Sequence, residues 1–174
     1  EQLSGVAIAS TMEGVRPLLI EVQALVSTAA YGTPQRTVNG YDSKRLNMLL
    51  AVIEKRLGVK MYTKDVFINI AGGIKVQDTA IDLAVVAAIL SSLFDMYIPA
   101  SYCFAGEIGL TGEVRMIGHI EKRIKECSKL GMKHMFIPKT DIQFQNKHTN
   151  IVQCSRIDST FRKLFKPNSQ KTEE

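Results

Sequence analysis

At 174 residues, 45% apolar and 22% charged, the chain is long enough for one domain with a substantial core and short for two. Its longest apolar run, Leu83 to Leu90, is too short to span a bilayer, and neither a signal-peptide pattern nor a CxxC pair is present, which argues against a membrane span, a zinc site or a disulfide framework. A formal charge of +5 and a pI of about 9.1 permit a polyanionic partner without requiring one, and a reducing cytoplasm is the expected setting.

The chain opens on Glu rather than Met, as an excised piece of a longer protein would. "SGVAIAST" and "RPLLIEVQALVS", rich in Val, Ile and Leu and separated by "MEGVRP", predict two strands paired as a hairpin. The Gly, Pro and Asn-Gly signals of "TAAYGTPQRTVNGYD" predict a loop. Asp42 is a good N-cap for a helix in which Leu46, Leu49, Leu50, Ile53 and Leu57 recur at helical spacing until Gly58. "DVFINIAGG" predicts a strand ending in a glycine pair. A second helix starts near Asp78 and is apolar nearly all round from Ile81 to Leu93, so it should be buried on most sides.

"YCFAGEIGL" and "GEVRMIG" predict two more strands joined by a Gly-Leu-Thr-Gly turn. A third helix begins near His119, with Ile120, Ile124, Cys127 and Leu130 inward and Glu121, Lys122, Arg123, Lys125 and Glu126 outward. "KHMFIPK" returns as a strand, "TNIVQCS" adds a short edge strand, and a terminal helix runs from Ile157 to Phe165. Residues 1–165 are read as a single domain and 166–174 as a polar, disordered tail. Strands mixed with three main helices, without a strict βα repeat, predict an α+β fold.

"AGGIK" has the glycines of an anion-binding turn but neither a P-loop nor a dinucleotide fingerprint, so a tight strand-to-helix turn explains it. His119, His134 and His148 have no ligand spacing, and no GxSxG elbow appears. Arg36, Lys44, Arg45, Lys75 and Arg115 form the basic set of interest. Cations at a helix N-terminus oppose its dipole, so Lys44 and Arg45 call for a reason other than helix stability, and a phosphate partner supplies one. Arg16, Lys55, Arg56 and the Lys122–Lys125 group read as surface or interface charge.

Taken in order, "ASTMEGVRPLLIEVQALV", "YGTPQRTVNGYD", "INIAGG", "AIDLAV" and "GEIGLTGEVRMIGHIEKRIKE" resemble the proteolytic domain of Lon proteases. They resemble more closely the Lon-like C-terminal domain of the bacterial RadA (Sms) family of DNA-repair proteins. The likeness runs from about Ser4 to Lys139 and weakens beyond Asn150. It implies a Lon protease-like fold of the ribosomal protein S5 domain 2 type. In Lon the nucleophilic Ser heads the buried helix, where this chain has Thr79, Ala80, Ile81 and Asp82. The Lon base is a Lys after a Gly-Gly-apolar turn, where this chain has Gly118, His119, Ile120 and then Glu121.

A Ser-Lys dyad needs an attacking hydroxyl and a neutral amine to take its proton. Ala80 offers no attacking atom, and Glu121 would have no nucleophile to serve. No catalytic residue is therefore expected, and Asp82, in the place of a Lon glycine, should crowd and charge the old oxyanion region.

The resemblance further implies a non-enzymatic segment of an ATP-driven recombination motor that migrates branched DNA. The segment would form a hexameric ring and meet DNA through Arg36, Lys44, Arg45, Lys75 and Arg115. No cofactor is expected in this segment; ATP, magnesium and zinc would belong to a missing N-terminal part, and the RecA recombinase is a partner implied for the whole protein. Two rival readings remain: an active peptidase using Ser91, Ser92 or a cysteine, and a Lon-like partner module of a magnesium-chelatase-related ATPase.

Overall fold

The computed structural model describes residues 2–144 and 148–166; the expected tail lies, apart from Lys166, outside the described residues. β1 (Val6–Glu13) and β2 (Arg16–Thr28) form the expected antiparallel hairpin, Glu13 opposing Arg16 across the two-residue Gly14-Val15 turn. The segment read as a loop contains a strand, β3 (Arg36–Asn39), which pairs in parallel with β4 (Lys64–Ile70). Its partner lies about 30 residues further on, so no local pattern announced it.

Between them runs α1 (Ser43–Leu57). The Asp42 carboxylate accepts the N–H groups of Lys44 and Arg45 at 2.8 and 3.1 Å, and Gly58 closes the helix in the left-handed region at φ +67°. A 3-10 turn at Thr79–Ile81, capped by Asp78, leads into α2 (Asp82–Phe94). Asp82 through Ser91 are all buried. At roughly 1.5–3 kcal/mol per fully buried large aliphatic side chain, Leu83, Val85, Val86, Ile89 and Leu90 make α2 the main apolar anchor of the fold.

The single strand expected over "YCFAGEIGL" divides at Ala105-Gly106. β5 (Tyr102–Phe104) stays in the main sheet, while β6 (Glu107–Ile108) leaves it to pair with the short β7 (Val114–Arg115). The divide has a physical reason: Gly106 turns its backbone onto the head of α2, accepting the Leu83 N–H at 3.0 Å and donating to the Ala80 carbonyl at 2.8 Å. After α3 (Ile120–Lys129) come β8 (His134–Pro138), β9 (Asn150–Cys154) and α4 (Ile157–Leu164).

The seven-stranded main sheet has the order β3-β4-β2-β1-β5-β8-β9, antiparallel across β4-β2-β1 and parallel elsewhere. With the four α-helices among the described residues it is an α+β arrangement. One apolar cluster joins α1, α2 and α4 to one face of the sheet; a smaller one seats Ile120, Ile124 and Cys127 of α3 on the other, against Cys103, Met135 and Ile137. The expected core positions Leu46, Leu49, Val85, Ile89, Ile120 and Ile124 are all buried.

Candidate functional site

The head of α2 is where a Lon-type nucleophile would stand. Ala80 is fully buried, its methyl carries no reactive atom, and the surrounding backbone amides are already engaged. The Ala80 N–H goes to Asp78 Oδ1 at 3.0 Å, the Ile81 N–H to the Asp78 carbonyl at 3.3 Å, the Asp82 N–H to Thr79 and the Leu83 N–H to Gly106. An oxyanion would need free donors at this point. These are consumed by the fold.

Asp78 is the hub of that arrangement. It also accepts the Met12 N–H at 3.0 Å, the Thr11 hydroxyl at 3.3 Å and the Arg123 guanidinium at 2.9 Å. Burial alone would raise its carboxyl, but the Ala80 N–H, the Arg123 charge and the Met12 N–H outweigh burial and hold it below its ordinary value. Arg123, expected outward, is 2% exposed; its other N–H groups donate to the carbonyls of Gly118 and Ser10, each at 2.8 Å. Its spacing gave a signal, since it lies three residues after Ile120 and four before Cys127, on the inward stripe of α3. Glu121 is exposed in the first turn of that helix, favourably placed toward the positive end of the dipole.

Asp82, expected to crowd and charge the old oxyanion region, is paired inside the fold. It is fully buried and turned toward α1, where Arg45 grips it through Nε at 3.0 Å to both oxygens and through Nη2. Tyr41 donates its hydroxyl to Oδ1 at 2.6 Å, and the Ile108 N–H donates to Oδ2 at 3.1 Å. Burial, with Asp82 beside it, pushes the Tyr41 hydroxyl far above its ordinary value, so it serves as a neutral donor. The hydrogen bonds that Arg45 donates to Asp82 likewise raise Arg45, keeping it charged.

The alternative nucleophiles are likewise engaged or enclosed. The Ser91 hydroxyl donates to the Met96 carbonyl at 2.5 Å and accepts the Gly5 N–H, and the Ser92 hydroxyl accepts the Val26 N–H; both lie toward the far end of α2. The buried Cys103 and Cys127 sulfurs are 3.0 Å apart, and the hydrogen-bonded contact with the Cys127 thiol, together with burial, pushes the Cys103 thiol well up. Burial raises the Cys154 thiol too. A thiol nucleophile needs the opposite shift.

The basic set divides by environment. Lys44 and Lys75 are exposed, and their ammonium groups have no partner among the described residues. Their segments are neighbours, joined by the Val76 N–H donating to the Gly40 carbonyl at 2.8 Å. Arg115 is largely exposed but lies within 3.4 Å of Glu113 and 3.9 Å of Glu107. Arg36, half-buried on the edge strand, donates to the Met61 carbonyl at 2.7 Å and lines a shallow groove with Asn47, Glu54 and Tyr62. Arg45 belongs to Asp82; its place at the helix start, attributed above to a phosphate partner, is accounted for by that internal carboxylate.

Residues 22–141 match the family model described as subunit ChlI of Mg-chelatase. Curated relatives are proteins named DNA repair protein RadA. The Bacillus subtilis protein is 45% identical over 148 residues, covering 85% of this chain and 32% of its own length. The Streptococcus pneumoniae protein is 41% identical over 164 residues, or 93% and 39%. The Synechocystis protein is 36% identical over 174 residues, or 100% and 34%, so the likeness extends past the limit near Lys139 read from the motifs. The chain spans about a third of the length of these relatives.

Proposed function

This chain belongs to the family described as subunit ChlI of Mg-chelatase and is RadA-like by its curated relatives; from that premise we propose that it is a Lon-like, proteolytically inert domain of a RadA-type repair and recombination protein. Its work is to scaffold self-association, as a hexameric ring, and to offer a positive surface to DNA while an ATP-driven motor elsewhere in the protein moves branched intermediates. ATP, magnesium and zinc belong to that other part, as does any engagement of the RecA recombinase.

The observation that carries the reading is Ala80, a methyl group among amides already engaged, where a peptidase of this architecture would need a hydroxyl and vacant donors. What the domain retains is shape and charge. Lys44 and Lys75 head the list of phosphate contacts because their ammonium groups have no partner among the described residues, followed by Arg36 and Arg115, each of which keeps N–H groups that no described residue uses. Arg45 leaves the list.

Filter binding of a single-stranded oligonucleotide across a salt series tests the DNA contact. Each true phosphate contact changed to Ala reduces the slope of log K against log salt by roughly one unit. Unchanged slopes for Lys44→Ala and Lys75→Ala would remove those residues, and absence of binding would remove the DNA surface. Turnover of unfolded protein by the purified domain would overturn the inert reading. The family match also favours a second reading, a partner module of a magnesium-chelatase-related ATPase, for which DNA binding is not expected.

A further inference from the structure

We propose that a pocket between α4 and the β5–β8–β9 edge of the sheet takes a base unstacked from a single DNA strand, with Lys163 holding the adjoining phosphate. This rests on the DNA reading above and adds to it a site that the basic set does not include.

The pocket follows from strand register. Tyr102 and Phe104 of β5 are two residues apart, as are His134 and Phe136 of β8, so each pair points to one face; the parallel register sets Tyr102 beside His134 and Phe104 beside Phe136. A ladder of rings results. Phe104 and Phe136 stack with centroids 4.7 Å apart, Tyr102 lies 5.6 Å from Phe136, and Tyr102 and His134 are 4.7 Å apart. The inner two rings are buried in the core, whereas Tyr102 and His134 are only half-buried where the strands begin. Alongside them is a hollow of about 480 Å³, with Val152 of β9 in its wall and Ser159 and Lys163 of α4 at its side.

The lining selects the ligand. Exposed faces of aromatic side chains offer stacking to a planar group, a contact available with every nucleobase. The Lys163 ammonium has no hydrogen-bond or ion-pair partner among the described residues, Arg162 shares its helix turn, and Lys166 follows. The nearby Asp158 carboxylate is already paired with Arg156 at 3.2 Å. The local potential is therefore positive, and a ligand must be flat at one end and anionic at the other. A nucleotide unit meets both demands. The Ser159 hydroxyl, which donates to the Arg156 carbonyl, keeps lone pairs for a base N–H, such as the ring N3–H of thymine.

Fluorescence anisotropy with a labelled twenty-residue oligothymidylate and an abasic phosphodiester of equal length separates stacking from charge. The natural strand should bind tighter than the abasic one. Tyr102→Leu, which keeps apolar bulk, should lose roughly 5- to 150-fold on the natural strand and nothing on the abasic one. Lys163→Ala, a change at an exposed side chain, should weaken both and lower the salt slope by about one. Equal binding of the two polymers, or a Tyr102→Leu loss that is equal on both, overturns the pocket while leaving the DNA surface intact. Binding of neither polymer overturns the DNA surface itself.

Discussion

The Arg45–Asp82 pair supplies an asymmetric test of how the helices are held together. Changing Arg45 to Ala leaves the fully buried Asp82 carboxylate facing only two neutral donors, the Tyr41 hydroxyl and the Ile108 N–H. An uncompensated buried charge of this kind costs about 3–5 kcal/mol. Changing Asp82 to Ala leaves a guanidinium whose side chain is 22% exposed and lies 3.7 Å from Glu107, so it can turn toward solvent and that second carboxylate. The cost is then chiefly the orphaned Ile108 N–H and lost hydrogen bonds, about 1–3 kcal/mol. Replacing both, as Arg45→Met with Asp82→Leu, removes the charges together and should restore most of the loss. Urea unfolding of the four proteins, read from midpoints at constant m-value, measures the cycle. Equal losses for the two single variants, or a double variant as unstable as Arg45→Ala, would refute the reasoning. DNA affinity of the double variant should match that of the parent, since Arg45 acts inside the fold.

Asp78 should make the protein acid-sensitive. Its folded-state carboxyl is depressed, so its contribution is fully present above the unfolded value near pH 3.9 and is lost as pH falls through the lower folded value. In Asp78→Asn the slope of stability against pH below about pH 4 should be shallower by up to about 1.4 kcal/mol per unit, and an unchanged slope would remove Asp78 as its source. All three thiols should resist an aromatic disulfide reagent at about pH 8 in the native protein and react promptly in denaturant; a fast native phase would reopen the question of a cysteine nucleophile. Gly40→Ala should cost more than Gly131→Ala. Both sit at positive φ, worth about 1–2 kcal/mol, but a Cβ at Gly40 would also lie 2.4 Å from the Ile74 carbonyl, whereas at Gly131 it meets open space. Equal melting temperatures for the two variants would show that the close approach does not matter.

The main helices were legible from local signals: Asp42 and Gly58 bracket α1, the apolar run of α2 demanded burial on most sides, and α3 carries an apolar stripe. The methyl group of Ala80 at the head of α2 was legible too, since side-chain identity is read straight from the sequence. Other features escaped because their causes are remote in the chain. β3 forms only against β4, and the "YCFAGEIGL" strand breaks because Gly106 is drawn to the head of α2. Sequence position could place Arg45 and Arg123 on their helices, but the carboxylates they answer lie 37 and 45 residues away. Amino-acid order determined which side chains stand at the head of α2 and where the main helices run. Tertiary structure decided which cations point inward and which rings meet in one pocket, because long side chains and strand registers are settled by partners that only the folded chain brings within reach.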